Sequence, residues 1–193
     1  MTAGWIALLA RARIYRRLLL VELALDETPV ERPAPGLEVR LLGAGDVAAY
    51  VAYRADPGAE EVGARLGRGE LCAGAWREGR LISAVWAARG RAHIAYLDRE
   101  LALGPDEAYA YESFTARAER GRDIASYRSN LIRRMLREAG VRRLVAAILP
   151  ETPAVRRRSD RRRALGHERT LGVVGYVGLG PWRRHFFRAI PGG

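Results

Sequence analysis

The chain has 193 residues, 49% of them hydrophobic, which suits one domain with a sizeable core. Its net charge is +11 and all 33 basic residues are Arg, which has two readings: an anionic partner, or a solvated basic surface shaped by the Arg preference of a GC-rich genome. The single Cys72 excludes an internal disulfide and a cysteine-rich metal site. His93, His167 and His185 are scattered without ligand spacing, so no metal is expected. No apolar run approaches the ~20 residues that cross a bilayer. Arg11, Arg13, Arg16 and Arg17 interrupt the N-terminal apolar patches, and no small-residue cleavage site follows them. A cytoplasmic protein is expected.

Residues 4–17 place Trp5, Leu8, Leu9, Ala12 and Tyr15 at helical spacing. Residues 18–25 continue that helix or form a strand. Residues 26–36 carry three Pro and a Gly, which marks a linker. Alternation predicts a strand over 37–42. Helices follow over 45–55, with Asp46 near the start, and over 60–69. Residues 70–90 read as two strands about a turn at Glu78–Gly79. A strand is expected at 92–97 and a turn at 103–107. The strand 107–116 puts Tyr109, Tyr111 and Ser113 on one face, with Ala110, Glu112 and Phe114 on the other.

After it comes "ERGRDIAS" (119–126), a loop leading into a helix of about fifteen residues that stops at Gly140. Residues 141–149 form a buried-type strand ended by Pro150. A helix over 156–163 carries six Arg, and strands at 168–180 and 182–190 close the chain around Pro181. The order implies an α+β (mixed α/β) fold rather than a regular βαβ alternation.

Four anchors, in order, carry a resemblance over residues 37–190: "GRLISAVWAA", "YESFTARAERGRDIA", "VRRLVAAILPET" and "RRALGHER". Together they resemble the GNAT (GCN-related N-acetyltransferase) superfamily. The resemblance implies a central, twisted, mostly antiparallel sheet with helices on both faces. Residues 1–36 would be an N-terminal extension and linker, and 37–193 the acyltransferase domain. It also implies acetyl-CoA as acyl donor, a small amine acceptor, and a monomer or homodimer. Phe114, Thr115 and Ala116 would line the pantetheine arm. Arg120, Gly121, Arg122, Asp123, Ile124 and Ala125 would form the pyrophosphate loop, with Ser126 opening the helix. A helix N-terminus suits that role, because its unpaired N–H groups and dipole face an anion.

Two departures stand out. Asp123 occupies a position that is Gly in the family's pattern, and an unpaired acid beside a di-anion costs about 1–2 kcal/mol. As an N-cap, Asp123 would instead bond the helix's own N–H groups, and Arg120 and Arg122 would offset its charge. In the Arg-rich helix, Thr152 stands near the family's Asn. Arg162 stands where a Tyr would protonate the leaving thiolate, and His167 replaces the Phe after Gly166.

The candidate base is Glu112, an acid in an apolar strand; the alternative is a salt bridge to a nearby Arg. Tyr111 and Tyr176, with Tyr109, are candidate acids or acceptor contacts, or else core-edge residues. The expected activity is acetyl transfer to an amine of a small-molecule or amino-sugar-like acceptor. The alternative is a degenerate fold of the same kind, without catalysis, acting as a CoA-binding, regulatory or anionic-partner-binding module. The Arg run lacks interleaved aromatics, so nucleic acid is not the expected partner. The N-terminal segment leaves a weak contact with an anionic membrane surface open.

Overall fold

A computed structural model describes residues 3–25, 33–152, 159–160, 167–179 and 181–190. The chain divides into two compact units. One holds the chain up to Ala24, residues 91–102 and the chain from Val145; the other holds 25–90 and 103–144.

The first unit begins with helix α1 (Ala3–Arg11). It ends before Arg13, whose φ of 56° is left-handed, so the helical reading through Tyr15 fails there. Strand β1 (Tyr15–Ala24) follows, settling 18–25 as strand. Its alternate residues Leu18 and Leu20 are buried. The strand pairs antiparallel with β9 (Arg169–Leu179), which pairs with β10 (Trp182–Ala189). A separate hairpin joins β5 (Arg91–Ile94) to β6 (Arg99–Ala102). The expected strand at 92–97 therefore ends at Ile94, and a turn at 95–98, where Asp98 has φ 50°, leads into β6, which was not expected.

The second unit is an antiparallel sheet in the order β7-β4-β3-β2, packed with helices. Its strands are β2 (Glu38–Leu41), β3 (Leu71–Arg77), β4 (Arg80–Arg89) and β7 (Glu107–Thr115). The turn at Glu78–Gly79 has φ of 50° and 73°, the left-handed pair that a two-residue hairpin requires. Helix α2 (Val47–Tyr53) follows a 3-10 turn at Ala44–Asp46, and α3 (Ala59–Gly67) follows α2. Tyr50, Val62, Cys72, Trp76 and Trp86 form one buried cluster with these helices.

Helix α4 (Ile124–Glu138) buries Ile124, Arg128, Ile132 and Leu136, one residue per turn. Gly140, at φ 83°, ends it, with its N–H on the Arg137 carbonyl. Strand β8 (Arg143–Ile148) leads from this unit into the first. The expected Arg-rich helix over 156–163 lies outside the described residues, apart from helical Ser159 and Asp160, as do Arg162 and Gly166. Among the described residues no helix is long and apolar enough to cross a membrane.

Candidate functional site

Strand β7 does not keep its alternation. Tyr111 faces Trp86 and Phe114 faces Ala84, so Glu112 and Ser113 together oppose Val85. This is a β-bulge, and Glu112 carries it at φ 46°. The bulge corrects the expected faces: Phe114 falls on the side of Tyr111, not opposite it. A bend of this kind re-aims every side chain and backbone group beyond it.

The Glu112 carboxylate is fully engaged. Arg65 donates to both its oxygens at 2.9 and 3.0 Å, and the Tyr50 hydroxyl donates to one at 3.2 Å. Trp86 Nε1 in turn donates to the Tyr50 oxygen at 2.9 Å. Burial pushes the Tyr50 hydroxyl up to about 12, against the lowering effect of the Trp86 bond. Burial opposes the charge on Arg65, but bonds to Glu112 and Glu61 outweigh it and hold the guanidinium firmly protonated. Tyr111 donates a hydrogen bond to Glu70. Burial, then that bond, raises its pKa. Arg68 ties Glu70 to Glu61, completing a network of alternating charge. Glu112 thus sits in the salt bridge that was the alternative to a free base.

Behind the bulge lies Arg128, a residue that the sequence reading passed over. It is 1% exposed. Its guanidinium donates to the Ala84 carbonyl and, at 3.0 Å, to Ser113 Oγ. A bulge disrupts the ladder locally, and Arg128 supplies donors on both strands at that point. Its signal was legible: an Arg occupies a core position of the α4 stripe.

Beyond the bulge the strand is pinned again. The Phe114 carbonyl accepts from Tyr53 at 2.9 Å and from Ser83 at 3.1 Å. Ala116 N–H donates to the Ile82 carbonyl. Then the chain turns into α4. Gly121 has φ 78°, with open space where a Cβ would stand. Asp123 is also left-handed, at φ 55° and ψ 9°, and it is the N-cap of α4. Its carboxylate makes no capping bond, contrary to the N-cap reading. Only its backbone carbonyl serves the helix, accepting from Ser126 and Tyr127 N–H.

No acceptor among the described residues takes the N–H groups of Gly121, Arg122, Asp123, Ile124 or Ala125. The Ile124 side chain is core, packed with Leu37, Ala75 and Ile82, so only its backbone serves the loop. Glu119 is neutralised by Arg77 at 2.7 Å and Arg122 at 3.4 Å. Arg120 Nε donates to the Thr115 carbonyl at 3.1 Å. A run of unsatisfied N–H groups at a helix start, with two Arg beside it, can cradle an anion. Asp123, exposed and without a partner among the described residues, is the one acid left facing solvent there.

Tyr176 lies in the other unit. It is 1% exposed, its hydroxyl has no hydrogen-bond partner among the described residues, and Arg183 stacks over its ring at 5.0 Å. Thr152 and His167 are described, and neither enters the cradle's unit.

Solved acetyltransferases share this fold. An acetyltransferase structure from Novosphingobium aromaticivorans, assigned to the GNAT family, matches with a TM-score of 0.54 at 18% identity, over 83% of this chain and 63% of that one. The glucosamine N-acetyltransferase region of a fungal multi-domain GH3 β-N-acetylglucosaminidase matches with a TM-score of 0.57 at 14% identity, over 89% of this chain and 21% of that one. A tandem GNAT protein of clavulanic acid biosynthesis matches with a TM-score of 0.54 at 16% identity, over 96% and 59%. The chain therefore spans less than two thirds of the length of each of these structures. No family model and no curated protein matches the sequence. The class is a mixed α+β acyltransferase fold with a mostly antiparallel sheet. Within that class, the chain has the GNAT acetyltransferase fold.

Proposed function

We propose that the chain is an N-acetyltransferase that takes an acetyl group from acetyl-CoA and passes it to an amine of a small-molecule or amino-sugar-like acceptor. The observation that carries this reading is the row of unpartnered N–H groups from Gly121 to Ala125, standing where β7 turns into α4. In this reading the row receives the CoA pyrophosphate, with Arg120 and Arg122 adding charge and Ser126 opening the helix. Phe114, Thr115 and Ala116 line the pantetheine arm.

The acceptor's amine nitrogen attacks the thioester carbon, the C–N bond forms, the C–S bond breaks, and the thiolate leaves. A backbone donor on β7 would polarise the carbonyl. Glu112 and Tyr111 are bound to Arg65 and Glu70, which favours a role in holding the bulge over direct proton transfer. Proton loss from the ammonium then goes through water. Tyr176, in the other unit, is left without a step in this scheme.

Thermal unfolding with acetyl-CoA tests the reading. Saturable stabilisation is expected, about 2.7 kcal/mol at a hundredfold excess over Kd, and inorganic pyrophosphate should compete. Stabilisation without acetyl transfer to any amine would favour the non-catalytic alternative. No stabilisation of either the native chain or Asp123→Gly would overturn acetyl-CoA binding.

A further inference from the structure

Most arginines of the second unit that touch another group are answered by a carboxylate. Arg40 pairs with Asp46 and Glu38, Arg65 with Glu112, Arg68 with Glu70, Arg77 with Glu119, and Arg143 with Asp106. Arg128, behind the bulge, is held by Ala84 and Ser113, and two others meet at one aromatic ring. Arg54, just after α2, and Arg120, in the loop, both place their guanidinium over the Phe114 ring, at 5.2 and 5.5 Å. No carboxylate among the described residues pairs with either.

The ring between them is fixed. Its backbone carbonyl is held by Tyr53 and Ser83, and the Tyr53 ring packs against it at 5.7 Å. Yet Phe114 remains 37% exposed. Two like charges gathered on one exposed ring repel each other, and an anion arriving beside both would relieve that repulsion. Stacking leaves the N–H edges of the guanidinium planes free, and those edges match carboxylate and phosphate oxygens two at a time. Arg120 has committed only its Nε, to the Thr115 carbonyl.

We propose that Arg54 and Phe114, with Arg120 shared between them and the pyrophosphate loop, form a subsite for an anionic group of the acceptor, so that the amine acetylated here belongs to a molecule that also bears a carboxylate or phosphate. This rests on the acetyl-transfer reading of the same unit. Phe114 is itself one of the strand residues assigned to the thioester arm, so an acid anchored beside it keeps an attached amine close to that arm. The electrostatics disfavour polycationic acceptors. The same chemistry would also hold a phosphate of CoA, so the test must separate the two sources.

Ligand-observed NMR with paired probes does so without needing turnover: 4-aminobutyrate against its amide, and glucosamine 6-phosphate against glucosamine. The anionic member of each pair is expected to bind at least tenfold more tightly. Arg54→Gln should remove that preference while changing acetyl-CoA affinity less than twofold, and Phe114→Leu should weaken it partially. Circular dichroism confirms that both variants fold. Equal binding of both members of each pair would overturn the proposal. So would a preference that survives Arg54→Gln, or an Arg54→Gln variant whose main loss is in acetyl-CoA affinity, which would assign Arg54 to CoA. Failure of acetyl-CoA binding with the anion preference intact would instead sink the acetyl-transfer reading and leave the subsite standing.

Discussion

Around Glu112, charge is answered inside the fold: Arg65, Tyr50, Glu61, Arg68, Glu70 and Tyr111 satisfy one another across α2, α3 and β7. Around the start of α4, backbone donors and two guanidinium groups are left open. The two regions are joined by one short stretch of strand, so the same local fold builds both. The contrast teaches that polar residues alone do not mark a site. A buried polar network that is fully satisfied gives rigidity. Donors without acceptors, placed where an anion can reach them, are what binding requires.

The largest expected effect tests the satisfied side. Arg65→Ala strands Glu112 and removes the tie to Glu61. Breaking a buried pair costs about 3–5 kcal/mol, and partial exposure of Glu112 lowers this to about 2–4 kcal/mol. Urea unfolding measures it. Arg120→Ala, on the open side, should cost less than about 0.5 kcal/mol of stability. It should nonetheless weaken acetyl-CoA binding about tenfold, the value of one charge-assisted bond. Equal stability losses in the two variants would erase the distinction.

Asp123 sharpens the comparison, because it is an acid on the open side. Its φ of 55° is a conformation that Asp tolerates and Gly adopts freely. Asp123→Gly relieves about 1 kcal/mol of backbone strain and loses about as much to unfolded-chain entropy. Net stability should therefore barely move. Removing the charge should raise acetyl-CoA affinity about five- to tenfold, from about 1–1.5 kcal/mol of repulsion. Asp123→Asn should match that gain, since it keeps the left-handed preference and drops only the charge. Calorimetric titration of both variants separates backbone from charge, and a gain with Gly alone would assign the effect to loop geometry.

These features were unequally legible in the sequence. Helix α4 declared itself by its apolar period and by Gly140, and the loop before it by Arg120, Gly121 and the preceding alternation. The bulge at Glu112 left no mark, because no Gly announces its positive φ; plain alternation therefore put Phe114 on the wrong face. Arg65 meets Glu112 across 47 residues of chain, a pairing that no local pattern encodes. Arg128 was readable in principle, as an Arg in the stripe Ile124, Ile132, Leu136. Strand β6 was missed because it is four residues long and its burial merely alternates intermediate with exposed. For 18–25, what settled strand over helix was pairing with β9, a contact far along the chain.

The smallest expected effect concerns pH. The bond from Arg65, the largest effect, holds the Glu61 carboxyl below its ordinary value against the opposing effect of burial, with a smaller contribution from Arg68. A depressed carboxylate stabilises the fold above its unfolded pKa, about 4.3 for Glu. That contribution is lost as pH falls below about 4.3 and through the lower folded value. Glu61 is 48% exposed, so solvent screening leaves only a few tenths of a kcal/mol. Glu61→Gln should flatten the stability curve between about pH 4.3 and the acid transition by that amount, and leave neutral-pH acetyl-CoA affinity unchanged. Asp46, lowered mainly by its bond to Arg40, loses its contribution in the same direction, so Asp46→Asn should flatten the curve independently. If Glu61→Gln altered acetyl-CoA affinity at neutral pH, the network around Glu112 would have to be coupled to the cradle, and the division between the two regions would fail.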